Sequence, residues 1–236
     1  LLVVFVNFVG IGALIPVLPF TVVETLGLSA TVMTLLLASF AFAMFLSNPL
    51  LGWFSDHVGR RPVLIFSLLM NVLAHIWFAL STDIVQMFAA RILAGLAAGN
   101  VGVIQAMIAD RVKLEERARY MGLFGAAIGI GFVSGPALGG LLSGVGNGPL
   151  HQAPFLLAAG FGTIAFLLSL RLNESATKAV MPINATRLVL DRIKTTFRSE
   201  LALYTLAFFL LNLSFAQVEA SYILLLRDYL GFGATE

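Results

Sequence analysis

Apolar residues in this chain fall into long unbroken runs separated by short polar stretches. Seven runs reach the length a bilayer demands, about 20 residues for a ~30 Å hydrocarbon core. They lie near 1–20, 30–51, 62–80, 85–108, 120–142, 153–171 and 201–226. None has the ten-residue alternation of an outer-membrane barrel strand, so each predicts a membrane-crossing helix. The longest polar stretch, 172–199, reads as a loop followed by a basic interfacial helix. It divides the chain into an expected six-helix bundle over 1–171, a loop over 172–199 and the first helix of a second bundle over 200–236.

Composition turns that pattern into a class. Of 236 residues 59% are hydrophobic and only 11% charged, against roughly 25% charged in a soluble domain. The mean hydropathy is +0.98. Too little charge is present to cover a water-facing surface, so the chain reads as an all-α integral membrane protein with the bilayer as its main partner. The absence of cysteine excludes a disulfide framework and a thiolate metal site. His57, His75 and His151 are scattered, and neither a His-x-x-x-His nor a Gly-x-Ser-x-Gly pattern occurs. A Walker-type phosphate loop is absent too, which argues against ATP as the direct energy source. No metal, cofactor, enzymatic activity or nucleic-acid partner is expected. Leu1 stands inside an apolar run with no basic flank, which reads as a truncated first helix rather than a signal peptide.

Where the charges sit gives orientation. Arg60 and Arg61 follow the second run; Arg111, Lys113, Arg117 and Arg119 follow the fourth; Arg171, Lys178, Arg187, Arg192, Lys194 and Arg198 follow the sixth. The opposite loops hold no basic residue before Arg227. Basic loops stay cytoplasmic, so the amino terminus is expected in the cytoplasm. The Asn-Glu-Ser sequence at 173–175 then faces the wrong side for glycosylation.

Between the second and third runs lies "GWFSDHVGRRP", residues 52–62. As plain topogenic charge, Arg60 and Arg61 need no further role. The acid and the glycines ask for more. Gly52 would allow a close approach to a neighbour, Gly59 a tight reversal, and Pro62 a start for the third helix. Asp56 is near enough to pair with Arg60 or to face a helix amino terminus. In the fifth run Gly131, Gly135 and Gly139 recur every four residues, with Gly125 and Gly129 before them. Glycines at that spacing line one helix face for backbone-to-backbone packing, and Pro136 removes a hydrogen bond to the Phe132 carbonyl.

These stretches resemble the major facilitator superfamily. The 52–62 stretch is similar to its Gly-x-x-x-Asp-(Arg/Lys)-x-Gly-Arg-Arg loop, with His57 in place of the usual basic residue. "RILAGLAAGN" (91–100) has the family's Arg-x-x-x-Gly arrangement, and "GIGALIPVLP" (10–19) stands where a first-helix motif is expected. "GFVSGPALGG" (131–140) matches the Gly-x-x-x-Gly-Pro-x-x-Gly-Gly pattern of the superfamily's antiporters. "IADRVKLEERARYMG" (108–122) resembles the loop between helices four and five of tetracycline-type exporters. The resemblance implies two inverted three-helix repeats forming one six-helix bundle, with the seventh helix opening a second. It implies a transporter exchanging a small drug-like molecule for protons across a bacterial inner membrane, completed by a carboxy-terminal half. Gly52, Asp56, Gly59, Arg60 and Arg61 would form a cytoplasmic latch. Gly131, Gly135, Pro136, Gly139 and Gly140 would form a bent interface with the other half.

Candidate pathway residues follow from polar groups inside apolar runs. Arg91 lies about six residues into the fourth run, roughly 9 Å along the axis, where a charge costs ~2.5–3.5 kcal/mol if central. It either snorkels to the interface or offers a fixed charge to a cavity; Gly95, Ala98, Gly102 and Gln105 share its face. In the seventh run Asn212, Phe215, Glu219 and Tyr222 make a helical stripe, with Gln217 close by. Glu219 is either a proton carrier or an outer-interface acid, since Arg227 and Asp228 follow within about two turns. Asn71 and His75 form a polar i, i+4 pair. The chain departs from tetracycline-type exporters at Asn7 and Ala74, where those carry acids. Asn7 can hydrogen-bond a substrate but cannot carry a proton. A metabolite importer with the same fold, a membrane-embedded enzyme and a non-transporting scaffold are the alternative readings; the Gly-Pro pattern of the fifth run favours an exporter.

Overall fold

The computed structural model describes residues 1–14, 17–19, 22, 27–143 and 152–175, with scattered positions between 202 and 214. The chain divides into two compact units, Leu1–Ala179 with Gly233–Glu236, and Val180–Phe232. Within the first unit every described element is helical. The described positions 202–204, 206–207, 210–211 and 214 of the second are helical as well.

The helices of the first unit are α1 (Leu2–Leu14), α2 (Ala30–Val58), α3 (Arg60–Leu80), α4 (Ile84–Ala98), α5 (Val101–Arg111), α6 (Arg117–Ser143) and α7 (Gln152–Ser169). A single helical turn, Val17–Pro19, follows α1, and a 3₁₀ turn, Leu114–Glu116, leads into α6. Among the described residues five segments are long and apolar enough to cross a membrane: Thr31–Val58, Arg60–Leu80, Ile84–Arg111, Leu114–Leu141 and Gln152–Ser169. The fourth predicted run is therefore one span, made of α4 and α5 end to end. At the junction Gly99 and Asn100 have ψ of 6° and −5°, flatter than the about −42° of a regular helix, so the span is kinked rather than straight.

Local signals set the ends. Ser29 and Asp83 are extended N-caps whose side chains accept from the Val32 and Gln86 amides, at 3.4 and 2.9 Å. At the other end the expected reversal over 52–62 shrinks to one residue. Nothing in "WFSDHV" opposes a helix, so α2 runs on to Val58, and α3 begins at Arg60. Gly59 makes the corner with φ of 116°, a region open to glycine and strained for any other residue.

The packing repeats itself under exchange of the two triplets. α1 packs against α6 and α7, while its counterpart α4 packs against α2 and α3; α3 and α7 pack against each other. That is the arrangement of two three-helix repeats in one bundle. Val4, Leu64, Leu68, Val103 and Phe124 belong to one buried cluster, and Phe78 meets Phe155 with ring centroids 4.5 Å apart. α2 and α6 are the least covered spans, exposing Phe42, Phe45, Val133 and Leu141.

Candidate functional site: the charged end and the polar seam

The turn at Gly59 anchors a charge network. Arg60 Nη1 lies 2.8 Å from Asp56 Oδ1, one turn back on α2, and 3.1 Å from Ser55 Oγ. Arg60 Nε donates to Asp110 Oδ2 on α5 at 2.6 Å. A guanidinium presents its donors in a fixed fork, so one side chain ties the last turn of α2 to the last turn of α5. Arg61 Nη2 donates to the Leu170 carbonyl at 2.8 Å, and Arg111 donates to the Asn173 carbonyl. Both cations stand at the carboxyl end of α7, where the helix dipole favours positive charge. Glu174 supplies the reverse arrangement at the start of α3. Its Oε1 accepts from the Arg60 amide at 3.0 Å, and its Oε2 from the Arg61 amide at 3.1 Å. A Cβ added to Gly59 would stand 2.6 Å from Glu174 Oε2.

Among the latch residues, Asp56, Gly59, Arg60 and Arg61 come together as a unit. Gly52 does not join it: a Cβ there would meet nothing within 4 Å, so the expected close approach has no partner among the described residues. His57 turns aside. Its Nδ1 is 2.8 Å from the Trp53 carbonyl, which can only accept, and its ring stacks on Trp53 at 4.5 Å. Asp110 and Glu174 were not singled out by sequence reasoning, and Arg111 only as an orienting charge. Each is a charged residue closing an apolar run on the basic side of the chain, which is the signal that could have found them.

Arg91 is buried in α4, 8% exposed. Its guanidinium carbon lies 5.1 Å from the Phe40 ring centroid and 5.8 Å from that of Phe78, within cation–π range. Its Nε has no hydrogen-bond acceptor among the described residues. The small residues expected beside it as a cavity lining divide. Gly95 closes on the Phe40 carbonyl and Ala43, and Ala98 is buried; with Gly99, outside the expected set, facing Ser47, this is a packing seam with α2. Gln105 is exposed, and a Cβ at Gly102 would stand 4.0 Å from Asn48 Oδ1. Asn7 is buried in α1. Asn71 and His75 are buried on α3, and Asn100 Nδ2 donates to Ser67 Oγ at 2.8 Å across the α3–α5 boundary.

The glycine stripe of the fifth run meets α1. A Cβ on Gly131 would stand 2.9 Å from Phe8 Cβ, one on Gly135 2.7 Å from Gly12 Cα, and one on Gly139 against the Ala13 carbonyl. The expected partner was the other half of the molecule. Gly12, also without a side chain, makes α1 the helix whose backbone can come this close, with its own Cβ position 3.1 Å from the Gly131 carbonyl. Pro136 sits within the unbroken α6, and Pro136 and Gly140 are half-buried. Asn212, Gln217, Glu219 and Tyr222 lie outside the described residues. Among the described residues no group of three potential metal ligands occurs. A cavity of about 350 Å³ opens near the charged end, lined by Val4, Leu64, Met107 and Leu172 with Arg111 and Tyr120 as its polar members.

Comparison with known proteins agrees with this arrangement. The family model for the Major Facilitator Superfamily matches residues 1–236. A class H tetracycline resistance protein of Pasteurella multocida is 32% identical over 235 residues, covering 97% of this chain and 58% of that protein. A class C tetracycline resistance protein of Escherichia coli is 39% identical over 182 residues, covering 75% and 45%. Multidrug resistance protein 2 of Bacillus subtilis is 35% identical over 167 residues, covering 70% and 40%. The chain spans about half the length of these relatives. Among solved structures, the human organic anion transporter MFSD10 (TETRAN) superposes with a TM-score of 0.72 at 24% identity, covering 99% of this chain and 65% of that one. A bacterial homologue of the human lysosomal transporter Spinster, inward-facing and unoccupied, gives 0.78 at 16% identity, covering 100% and 55%. With the paired triplets, the charged turn and a family match from end to end, this chain belongs to the major facilitator superfamily.

Proposed function

We propose that the whole protein is a secondary active exporter, expelling a small amphipathic, drug-like compound in exchange for protons by alternating access. The observation that carries this reading is the Asp56–Arg60–Asp110 network. It joins helix ends with partly exposed charged groups, which can exchange partners without unfolding a core. An end of the bundle held in that way can open and close. Resistance proteins among the relatives favour export as the direction. In this reading the charged end is cytoplasmic, the amino terminus with it, and the membrane is a bacterial inner membrane. Residues 172–199 link two halves, and 200–236 open the second.

Arg91, Asn7 and Gln105 belong to the substrate and proton path in this reading, with Asn212, Gln217, Glu219 and Tyr222 as its further candidate groups. Arg91 stays protonated throughout and cannot be the carrier; Glu219 can. The test is substrate flux in proteoliposomes of the complete protein, with and without an imposed pH gradient. Glu219→Gln is expected to lose uphill efflux and keep downhill movement, because the amide mimics the protonated acid. Uphill transport by that variant would place the carrier elsewhere. A drug-susceptibility screen of cells expressing the complete gene identifies the compound.

A further inference from the structure

Three consecutive pairs of residues close a ring at the charged end. α3 contributes Arg60 and Arg61, α5 contributes Asp110 and Arg111, and the segment leaving α7 contributes Asn173 and Glu174. The first side of the ring is Arg60 Nε donating to Asp110 Oδ2. The second is Arg111 donating to the Asn173 carbonyl. The third is Glu174, whose carboxylate accepts from the Arg60 and Arg61 amides. Arg61 adds a bond to the Leu170 carbonyl, just past the end of α7, where helical partners for carbonyls run out. The sides of this ring are unequal. Arg60 and Asp110 are carried by membrane-crossing segments. Residues 172–174 belong to no helix, and Asn173 and Glu174 are exposed. Polar contacts that water can replace are worth little each, so this side opens at the lowest cost.

What lies beneath gives the opening a consequence. Leu172 is half-buried against the buried cluster. It is part of the wall of the cavity of about 350 Å³, with Val4 of α1, Leu64 of α3 and Met107 of α5. Arg111 lines the same cavity and holds Asn173, so the ring and the cavity share a wall. Val4, Leu64 and Met107 are fixed by the packing of their helices, whereas Leu172 is fixed only by its own burial and by the polar contacts on either side of it. We propose that residues 170–174 are a strap that closes this cavity at the charged end, kept shut by Glu174 as a positioning residue, and that the strap swings out while the helices stay packed. Gly59 is part of the device. A Cβ there would stand 2.6 Å from Glu174 Oε2, so with any larger residue at the corner the carboxylate has to shift from its seat.

Thiol labelling of the full chain in lipid nanodiscs, where both faces are open to reagent, tests this. The chain has no cysteine, so one introduced thiol reports one position. Val4→Cys places it in the cavity wall, at a residue 1% exposed. Val72→Cys is the matched control, on α3 against Gly162 of α7, 7% exposed and outside the cavity. A small water-soluble methanethiosulfonate is the probe. When closing is fast, its rate follows the population of the open form. Glu174→Ala is expected to speed labelling at Val4→Cys by about two- to thirty-fold, the factor that corresponds to losing a helix-capping side chain. Glu174→Gln, which keeps an acceptor oxygen but not the charge, should fall between. Labelling at Val72→Cys should not change. An unchanged Val4→Cys rate in Glu174→Ala would overturn the strap. An equal rise at Val72→Cys would overturn it too, since the bundle as a whole would then have loosened. No transport is measured, so the outcome is separate from that of the export reading.

Discussion

The seam between α1 and α6 can be probed with a single methyl group. A Cβ on Gly135 would stand 2.7 Å from Ala13 N, Gly12 C and Gly12 Cα, all backbone atoms that no rotamer change can move. Ordinary van der Waals contact begins near 3.4 Å, so the two helix backbones must part by about 0.7 Å, and with them the adjoining contacts at Gly131 and Gly139. Overpacking of this kind costs about 1–3 kcal/mol. In a chain of this size each kcal/mol moves the melting midpoint by about 2–4 °C. Gly135→Ala is therefore expected to lower the apparent midpoint by about 2–12 °C. Gly125→Ala is the matched control. A Cβ there meets nothing within 4 Å, and alanine gains roughly 1 kcal/mol of helix propensity over glycine. That variant should unfold at or above the wild-type temperature. Trp53 and Trp77 serve as intrinsic fluorophores for the scan, or the surviving monodisperse fraction can be followed by size exclusion after heating. A Gly135→Ala protein as stable as Gly125→Ala would refute the seam and return the stripe to the lipid or to another helix.

Asp56→Ala leaves Arg60 paired with Asp110 alone, so the protein should insert and express normally while vesicle efflux is lost; normal efflux would reduce the turn to topogenic charge. Glu174→Ala removes the carboxylate that receives the Arg60 and Arg61 amides, a loss of about 0.5–2 kcal/mol for a helix cap. It should speed hydrogen exchange at those two amides, and unchanged exchange would remove Glu174 from the cap. Arg91→Ala should weaken transport in both active and exchange assays, whereas Arg91→Lys, which keeps the charge but not the planar stacking on Phe40 and Phe78, should retain part of it. Equal activity of both with wild type would leave Arg91 without a part in the pathway.

How much of this was legible in the sequence depended on the range of the interaction. Membrane helices are announced by local apolarity, and among the described residues five of the seven runs are matched by spans; the first run holds a 13-residue helix, Leu2–Leu14, and most of the seventh lies outside the described residues. The end of α2 was misjudged because charge reads as loop, while a helix needs only the absence of breakers; Asp56 and His57 are helical residues that happen to be wet. Spacing placed Gly131, Gly135 and Gly139 on one face but could not name the helix they meet, since a bare backbone fits any other bare backbone and only Gly12 decides it. Asp56 with Arg60 was readable as an i, i+4 pair. Asp110 and Glu174 reach the same turn from 50 and 114 residues away, and no local pattern encodes that. "GLAAGN" was read as a motif and its kink passed unnoticed, because ψ near zero at Gly99 and Asn100 follows from packing rather than from propensity.

The exchange of partners between triplets bears on how the bundle assembles. Each glycine seam crosses from one triplet to the other: α1 closes on α6, and α4 closes on α2. A ribosome that has released only the first three helices has therefore delivered Gly12 and Phe40 to the bilayer with nothing to close against. The first seam can form once α4 emerges, and the second waits for α6, more than a hundred residues after α1. Such sequence-distant closure is slow. The bare backbone strip on α1 is exposed throughout that interval, so α1 is the helix most open to pairing with the wrong neighbour during synthesis.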